Sequence, residues 1–207
     1  DASGIEATAV SDKDAWVVNA NKVFVTNGGV ADICLLFLQT NPSGDRKQIS
    51  VVVAERGTEG FVVGDLEDLC GMRANPVSSI RLYDCRVPLT NLLGREGMGL
   101  KIGLASLDTG RMGIAAQAVG IAQAALEEGL LYARQRRQFR VPISKHQAIQ
   151  MMIADMGTLV EASRLMTYRA AALRDSGKKF SQESAMAKLF ASEACGKVTD
   201  MAVQIHG

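Results

Sequence analysis

Proline is scarce in this sequence, four residues in 207. Together with 47% apolar and 22% charged residues, that scarcity argues against disorder and fits a folded chain rich in helix. Cysteines are few as well. Cys34, Cys70, Cys85 and Cys195 have no metal-ligand spacing and lie in strand-like or helix-like runs, as packed, reduced thiols do. No metal is expected, and a reducing compartment is. Net charge is nearly absent too: at +1 the chain has no general attraction for nucleic acid or an anionic membrane, so any basic function is local. Uninterrupted apolar runs of about 18 residues are missing, and the N-terminus has no signal-peptide pattern, so no membrane span is expected. There is no internal repeat or low-complexity tract. At 207 residues the chain is long enough for one large domain or two small ones.

What is present divides into two parts. Residues 1–94 read as short β-rich runs, "GIEATAV", "AWVVNA", "KVFVTN", "DICLLFLQT", "QISVVVAE" and "SSIRLYDCRV", punctuated by "SDKDA", "NAN", "NGG" and "NPSGDR". Residues 95–207 read as helix. A first helix over about 98–137 repeats Leu104, Leu107, Ile114, Ala118, Ile121, Ala125 and Leu131, with a kink expected near Gly110. A second over about 144–175 carries Ile149, Met152, Met156, Val160, Ser163, Met166 and Ala170 and stops at "DSGKKF". A third starts near Ser181, read as an N-cap with Glu183 in the first turn, and runs through Leu189, Ser192 and Val203. The expected class is α+β: an antiparallel β domain followed by an antiparallel helical bundle that looks incomplete, since four helices are commoner than three. Surfaces near both termini are expected to need covering by another subunit or by further sequence.

Four stretches carry candidate chemistry, and each has a plain structural reading beside a functional one. "KVFVTN" makes an ordinary strand, with Val23 and Val25 on one face and Phe24 and Thr26 on the other. "YARQRRQFR" is a solvated helix end whose Arg134, Arg136 and Arg137 complement the helix dipole, or an anion site; nucleic-acid binding is disfavoured by the near-neutral remainder and the lack of interleaved aromatics. "SKHQ" has the capping-box spacing of Ser144 to Gln147. "LDTGR" is a weak point in a helix, with Asp108 and Arg111 pairing locally or facing solvent.

Taken together, "KVFVTNGG", "RVPLTNLLGREGMGLKIGLASLDTGRMGIAAQAVGIAQAALE", "YARQRRQF", "HQAIQMMIADM" and "AMAKLFASEACGKVTDMAVQIHG" closely resemble the acyl-CoA dehydrogenase family, most of all its short-chain, butyryl-CoA type members. The resemblance runs through nearly all of the chain, in the family's order. It implies FAD as cofactor. Phe24, Val25 and Thr26 would then line the isoalloxazine, the aromatic packing beside the ring and Thr26 bonding near N5. Arg136 would bind the pyrophosphate across a dimer interface, with Gln138, Phe139, His146 and Gln147 as further contacts. Gln204 and Gly207 match the start of the family's "QxxGG" turn, which approaches the partner subunit's FAD. Where the family usually has glycine after the phenylalanine, this sequence has Arg140.

The resemblance also implies an acyl-CoA substrate, bordered by Asp108, Thr109, Gly110 and Arg111, and oxidation of a short or medium acyl thioester to the 2-enoyl-CoA. The α-proton is removed by a glutamate in this family. Some branches carry it at the position of Gly110; others carry it beyond the "QxxGG" turn, so no catalytic base is nominated within these residues, and Glu127, Glu128 and Glu161 fit an exposed helix face instead. Electron-transferring flavoprotein is the implied acceptor, and a homotetramer built as a dimer of dimers the implied assembly. The location would be cytoplasmic in a bacterium and the mitochondrial matrix in a eukaryote. Two rivals stand beside this reading: a non-catalytic relative that binds DNA through the basic helix end, and an oligomerisation module.

Overall fold

The computed structural model describes residues 4–42 and 48–207. Contacts divide the chain into two compact units, Asp1–Leu104 and Ala105–Gly207.

The first unit is a six-stranded sheet. Its strands are β1 (Thr8–Asp12), β2 (Ala15–Thr26), β3 (Ile33–Gln39), β4 (Ile49–Glu55), β5 (Phe61–Leu66) and β6 (Val77–Pro88), in the spatial order β4-β3-β1-β2-β6-β5. The pairings are antiparallel except one: β1 meets β3 in parallel, through Thr8 and Gln39. The sheet is therefore mixed, not wholly antiparallel. Strict alternation along β3 sends Cys34, Leu36 and Leu38 inward, where Trp16, Val18, Val52, Ile80, Leu82 and Val87 complete the core. Each fully buried side chain of this kind stabilises the fold by about 1.5–3 kcal/mol.

"AWVVNA" and "KVFVTN" form a single strand, β2, and not two separated by a turn. The register slips instead between Val18 and Ala20, where Asn19 Nδ2 donates to Asp84 Oδ1 at 2.9 Å and the Asp84 amide donates to Asn19 Oδ1 at 3.0 Å. That exchange takes up the extra residue of a bulge without ending the strand. The "SGDR" part of the next expected turn lies outside the described residues.

β4 is an edge strand, and the segment after β6 covers it. Asn91 Nδ2 donates to the Val53 carbonyl, the Leu93 amide to Val51 and the Gly97 amide to Ser50 Oγ, all within 2.9 Å. A Cβ on Gly99 would lie 2.7 Å from the Ile49 carbonyl oxygen, so the covering segment fits only with glycine at this point.

The second unit is a bundle of three helices, α1 (Gly99–Gln135, of which the unit takes the part from Ala105), α2 (Gln147–Asp175) and α3 (Ser181–His206). One buried cluster joins Met112 of α1 to Ala170 of α2 and Ala187 of α3, and another joins Ala133 to Met156 and Ile205. The early part of α1 thus meets the late part of α2 and the early part of α3: α2 runs antiparallel to both neighbours. α1 continues unbroken through Gly110. Gly177, at φ 68°, closes α2, with its amide on the Arg174 carbonyl and the Lys178 amide on Leu173, the reciprocal pair of a Schellman end.

Candidate cofactor site

The bulged end of β2 departs from the alternation expected of "KVFVTN". Register shifts between Lys22 and Val25, Phe24 takes φ 53°, and its ring is 69% exposed. An aromatic residue at positive φ costs about 1–3 kcal/mol and persists only where the surroundings impose it. Val23 is exposed, Val25 half-buried and Thr26 exposed, so the two-faced strand expected here does not form. Beside it lies a cleft of about 370 Å³ between the ends of β2 and β3, lined by Lys22, Phe24, Val25, Thr26, Ile33 and Phe37 among others. β1 lies between the two strands in the sheet order and pairs with β3 at Gln39, at the end of β3 away from the cleft. Lys22 Nζ donates to the Phe37 carbonyl at 2.9 Å across it, and burial lowers the pKa of this ammonium.

The last turn of α1 leads into a hairpin that the sequence did not announce. β7 (Arg137–Gln138) pairs with β8 (Val141–Pro142) around a two-residue turn, Phe139 at φ 52° and Arg140 at φ 68°. Both central residues at positive φ match the mirror-image turn that normally selects Asn-Gly. Two side-chain-bearing residues there carry strain of roughly 1–2 kcal/mol each. The hairpin is anchored by Ile143, buried in the bundle core, whose amide donates to the Arg136 carbonyl at 2.8 Å. Phe139 stands 88% exposed, its ring perpendicular to that of His146 at a centroid distance of 5.9 Å.

The capping box does not form: His146 caps α2 through its backbone, no side chain bonds there, and Ser144 falls in a short 3-10 turn, its carbonyl accepting from Gln150 Nε2. Gln147 is the exposed first residue of α2. The Nε2 atom of His146 is buried and has no hydrogen-bond partner. At the same end of the bundle His206 stacks on Tyr132 at 4.4 Å, with Gln204 exposed and Gly207 at φ 104°. The structure therefore gathers Arg136, Gln138, Phe139, His146, Gln147, Gln204 and Gly207 at one end. That end is cationic, since no Asp or Glu occurs from residue 129 to 154, and among the described residues no carboxylate pairs with Arg134, Arg136, Arg137 or Arg140.

Asp108 sits differently. Arg111 Nη1 donates to its Oδ1 at 2.7 Å, the Ser181 hydroxyl donates to Oδ2, and the fully buried Ser184 donates to its backbone carbonyl. Ser181 is thus the first residue of α3 and a ligand of Asp108, not the N-cap, a position that Phe180 holds without a side-chain bond. Sequence reading missed both serines as site residues because their partner is more than seventy positions away. Thr109 and Gly110 are exposed, and a Cβ on Gly110 would meet nothing within 4 Å. Glu127, Glu128 and Glu161 are exposed, Glu127 accepting from Gln123 and Glu161 paired with Arg164.

A bulged mixed sheet followed by a helical bundle with an unneutralised basic end defines an α+β scaffold of two units. The sequence pattern of "Acyl-CoA dehydrogenase, middle domain" matches residues 1–85, and that of "Acyl-CoA dehydrogenase, C-terminal domain" matches residues 97–207. The chain belongs to the acyl-CoA dehydrogenase family. It is 44% identical, over its whole length, to the mitochondrial short-chain specific acyl-CoA dehydrogenase of Rattus norvegicus, covering 50% of that protein. It superposes on butyryl-CoA dehydrogenase from Megasphaera elsdenii with a TM-score of 0.95 at 42% identity, over 99% of this chain and 54% of that one. A structure described as an electron transferring flavoprotein of Acidaminococcus fermentans, studied for flavin-based electron bifurcation, matches at 44% identity and a TM-score of 0.94, over 99% and 54% of the two chains. The chain spans about half the length of these relatives.

Proposed function

We propose that the protein expressed from its complete reading frame is an FAD-dependent acyl-CoA dehydrogenase that converts a short- or medium-chain acyl-CoA to the trans-2-enoyl-CoA. The observation that carries this reading is the basic end of the bundle, where Arg134, Arg136, Arg137 and Arg140 have no carboxylate partner among the described residues and the buried Nε2 of His146 has no hydrogen-bond partner there either. Cations and a buried ring nitrogen left unmatched in this way fit a phosphate-bearing group.

In this role the flavin, when bound, supplies the hydride acceptor. The chain's own residues bind and orient. Phe24, held outward by the bulge, walls the ring against water, with Val25 and Thr26 beside it. Arg136 meets the diphosphate of a partner subunit's cofactor through its planar fork. Gln138, Phe139, His146, Gln147, Gln204 and Gly207 complete that contact. Asp108, fixed by Ser181 and Arg111, borders the acyl-CoA together with Thr109, and Gly110 leaves the thioester room. A glutamate outside these 207 residues takes the α-proton, electrons pass to an electron-transferring flavoprotein, and the assembly is a dimer of dimers.

The test is spectroscopic. The purified protein should be yellow, and anaerobic butyryl-CoA should bleach its flavin band; a colourless protein, or an unchanged spectrum with this and longer thioesters, rejects the reading. Arg136→Ala should release most of the cofactor on gel filtration. A colourless protein with salt-sensitive DNA affinity would support the nucleic-acid rival instead.

A further inference from the structure

We propose that Arg140 is a second phosphate-binding guanidinium of this site, acting with Arg136 at the base of the same hairpin; the inference rests on the cofactor reading above. Arg140 occupies the second turn position at φ 68°, where glycine fits without strain. Such an outlier is retained where its side chain has a use. Packing gives it none: the residue is exposed, and among the described residues no hydrogen bond or ion pair engages its side chain. Its backbone is engaged, for the Arg140 carbonyl accepts from Arg137 Nη1 at 3.4 Å. Arg137 thus has a partner within the hairpin, whereas among the described residues the side chains of Arg136 and Arg140 have none.

Charge points the same way. The nearest acids in sequence are Glu128 and Asp155, on the far sides of a stretch with five Lys and Arg residues. Among the described residues the arginines tied to a carboxylate lie elsewhere: Arg86, Arg111, Arg164 and Arg169. A diphosphate carries a negative charge on each phosphate, and one guanidinium fork satisfies one pair of oxygens. Two forks, one at the base of the hairpin and one on its turn, match two phosphates better than one does.

The test uses the protein from its complete reading frame, stripped of flavin, and titrates it with FAD and separately with ADP, which carries the phosphates and no isoalloxazine. Arg140→Gly should raise the dissociation constants of both ligands about tenfold and weaken their dependence on salt. The same substitution should raise the melting temperature of the flavin-free protein by about 2–4 °C, because the turn strain is relieved. Arg140→Lys, with charge but no fork, should fall between. If Arg140→Gly binds ADP as tightly as the parent while Arg136→Ala does not, the inference fails and the cofactor reading stands. If the parent protein binds neither FAD nor ADP, both fail.

Discussion

The two units of this chain bury opposite kinds of side chain. The sheet encloses Trp16, Leu36, Leu38, Ile80 and Leu82, whereas the bundle encloses Ala115, Ala118, Ala122, Ala170, Ala187, Ala191 and Ala194, with larger residues at Met112, Ile143, Met156, Val160, Val198 and Ile205. Along α3 the inward positions, Ser184, Ala187, Ala191, Ala194, Val198, Ala202 and Ile205, follow one face at steps of three and four. Leu107, Ile114, Ile121, Leu131, Leu189 and Val203 point outward. Large outward and small inward is the reverse of an ordinary amphipathic helix. Small residues at a helix contact let the backbones approach closely, and such a contact tolerates truncation better than enlargement.

That contrast breaks most sharply by substitution. Leu38→Ala empties a site with no exposure in the sheet and should cost about 2–5 kcal/mol. In the bundle Ala191→Leu, at 1% exposure, should cost about 1–3 kcal/mol by overpacking. Trp16, the single tryptophan and itself buried, reports the sheet by fluorescence, while far-ultraviolet ellipticity is dominated by the helices. Urea titrations followed by both signals should place each loss in its own unit. A harmless Ala191→Leu would mean that the alanine interface is loose and the comparison wrong.

A smaller effect is expected where α3 grips Asp108. Asp108→Ala frees Arg111 and Ser181 from their shared carboxylate and should destabilise the bundle by roughly 1–3 kcal/mol. Ser184→Ala, which removes a single buried hydroxyl from the Asp108 carbonyl, should cost about 1 kcal/mol. Helical ellipticity should report both losses in that order, and Trp16 fluorescence neither. If Ser184→Ala costs as much as Asp108→Ala, the carboxylate contributes nothing of its own.

How much of this was legible in the sequence depended on how local the cause is. β3 and the stripe of α2 were readable because alternation and helical spacing are written in adjacent residues: Met156, Val160, Ser163 and Ala170 are buried as that pattern implies. On α1 Ala118 and Ala125 of the expected stripe turn inward but Leu104, Leu107, Ile114, Ile121 and Leu131 do not, and on α3 Leu189 and Val203 do not, because hydropathy ranks Leu and Ile above Ala, while the alanines hold the contact. β5 escaped notice: Gly64 interrupts its apolar run, and its pairing with β6 slips between Val63 and Leu66. The hairpin at 137–142 was hidden because Phe139-Arg140 lacks the glycine or asparagine that announces such a turn. Phe24 and Arg136 were named from family likeness; the positive φ of Phe24 is visible only in the folded backbone, as is the lack, among the described residues, of an ion pair to Arg136.

The smallest difference between the units is chemical. Burial raises the thiol pKa of Cys34 and Cys85 in the sheet, Arg56 drawing Cys34 weakly the other way, and burial also raises that of the half-buried Cys195 in the bundle. Only the thiolate attacks a disulfide reagent, so a raised pKa leaves less of the reactive form at a given pH, and burial slows access further. Cys70 is exposed. Labelling of the native protein near neutral pH should therefore give one fast thiol at Cys70, a slower one at Cys195, and Cys34 and Cys85 only on unfolding. Raising the pH toward 9 should quicken Cys195 while the sheet thiols stay protected. Peptide mapping of the labelled sites decides it: a Cys34 that reacts as fast as Cys195 would show that the sheet opens as readily as the bundle, against the packing contrast drawn above.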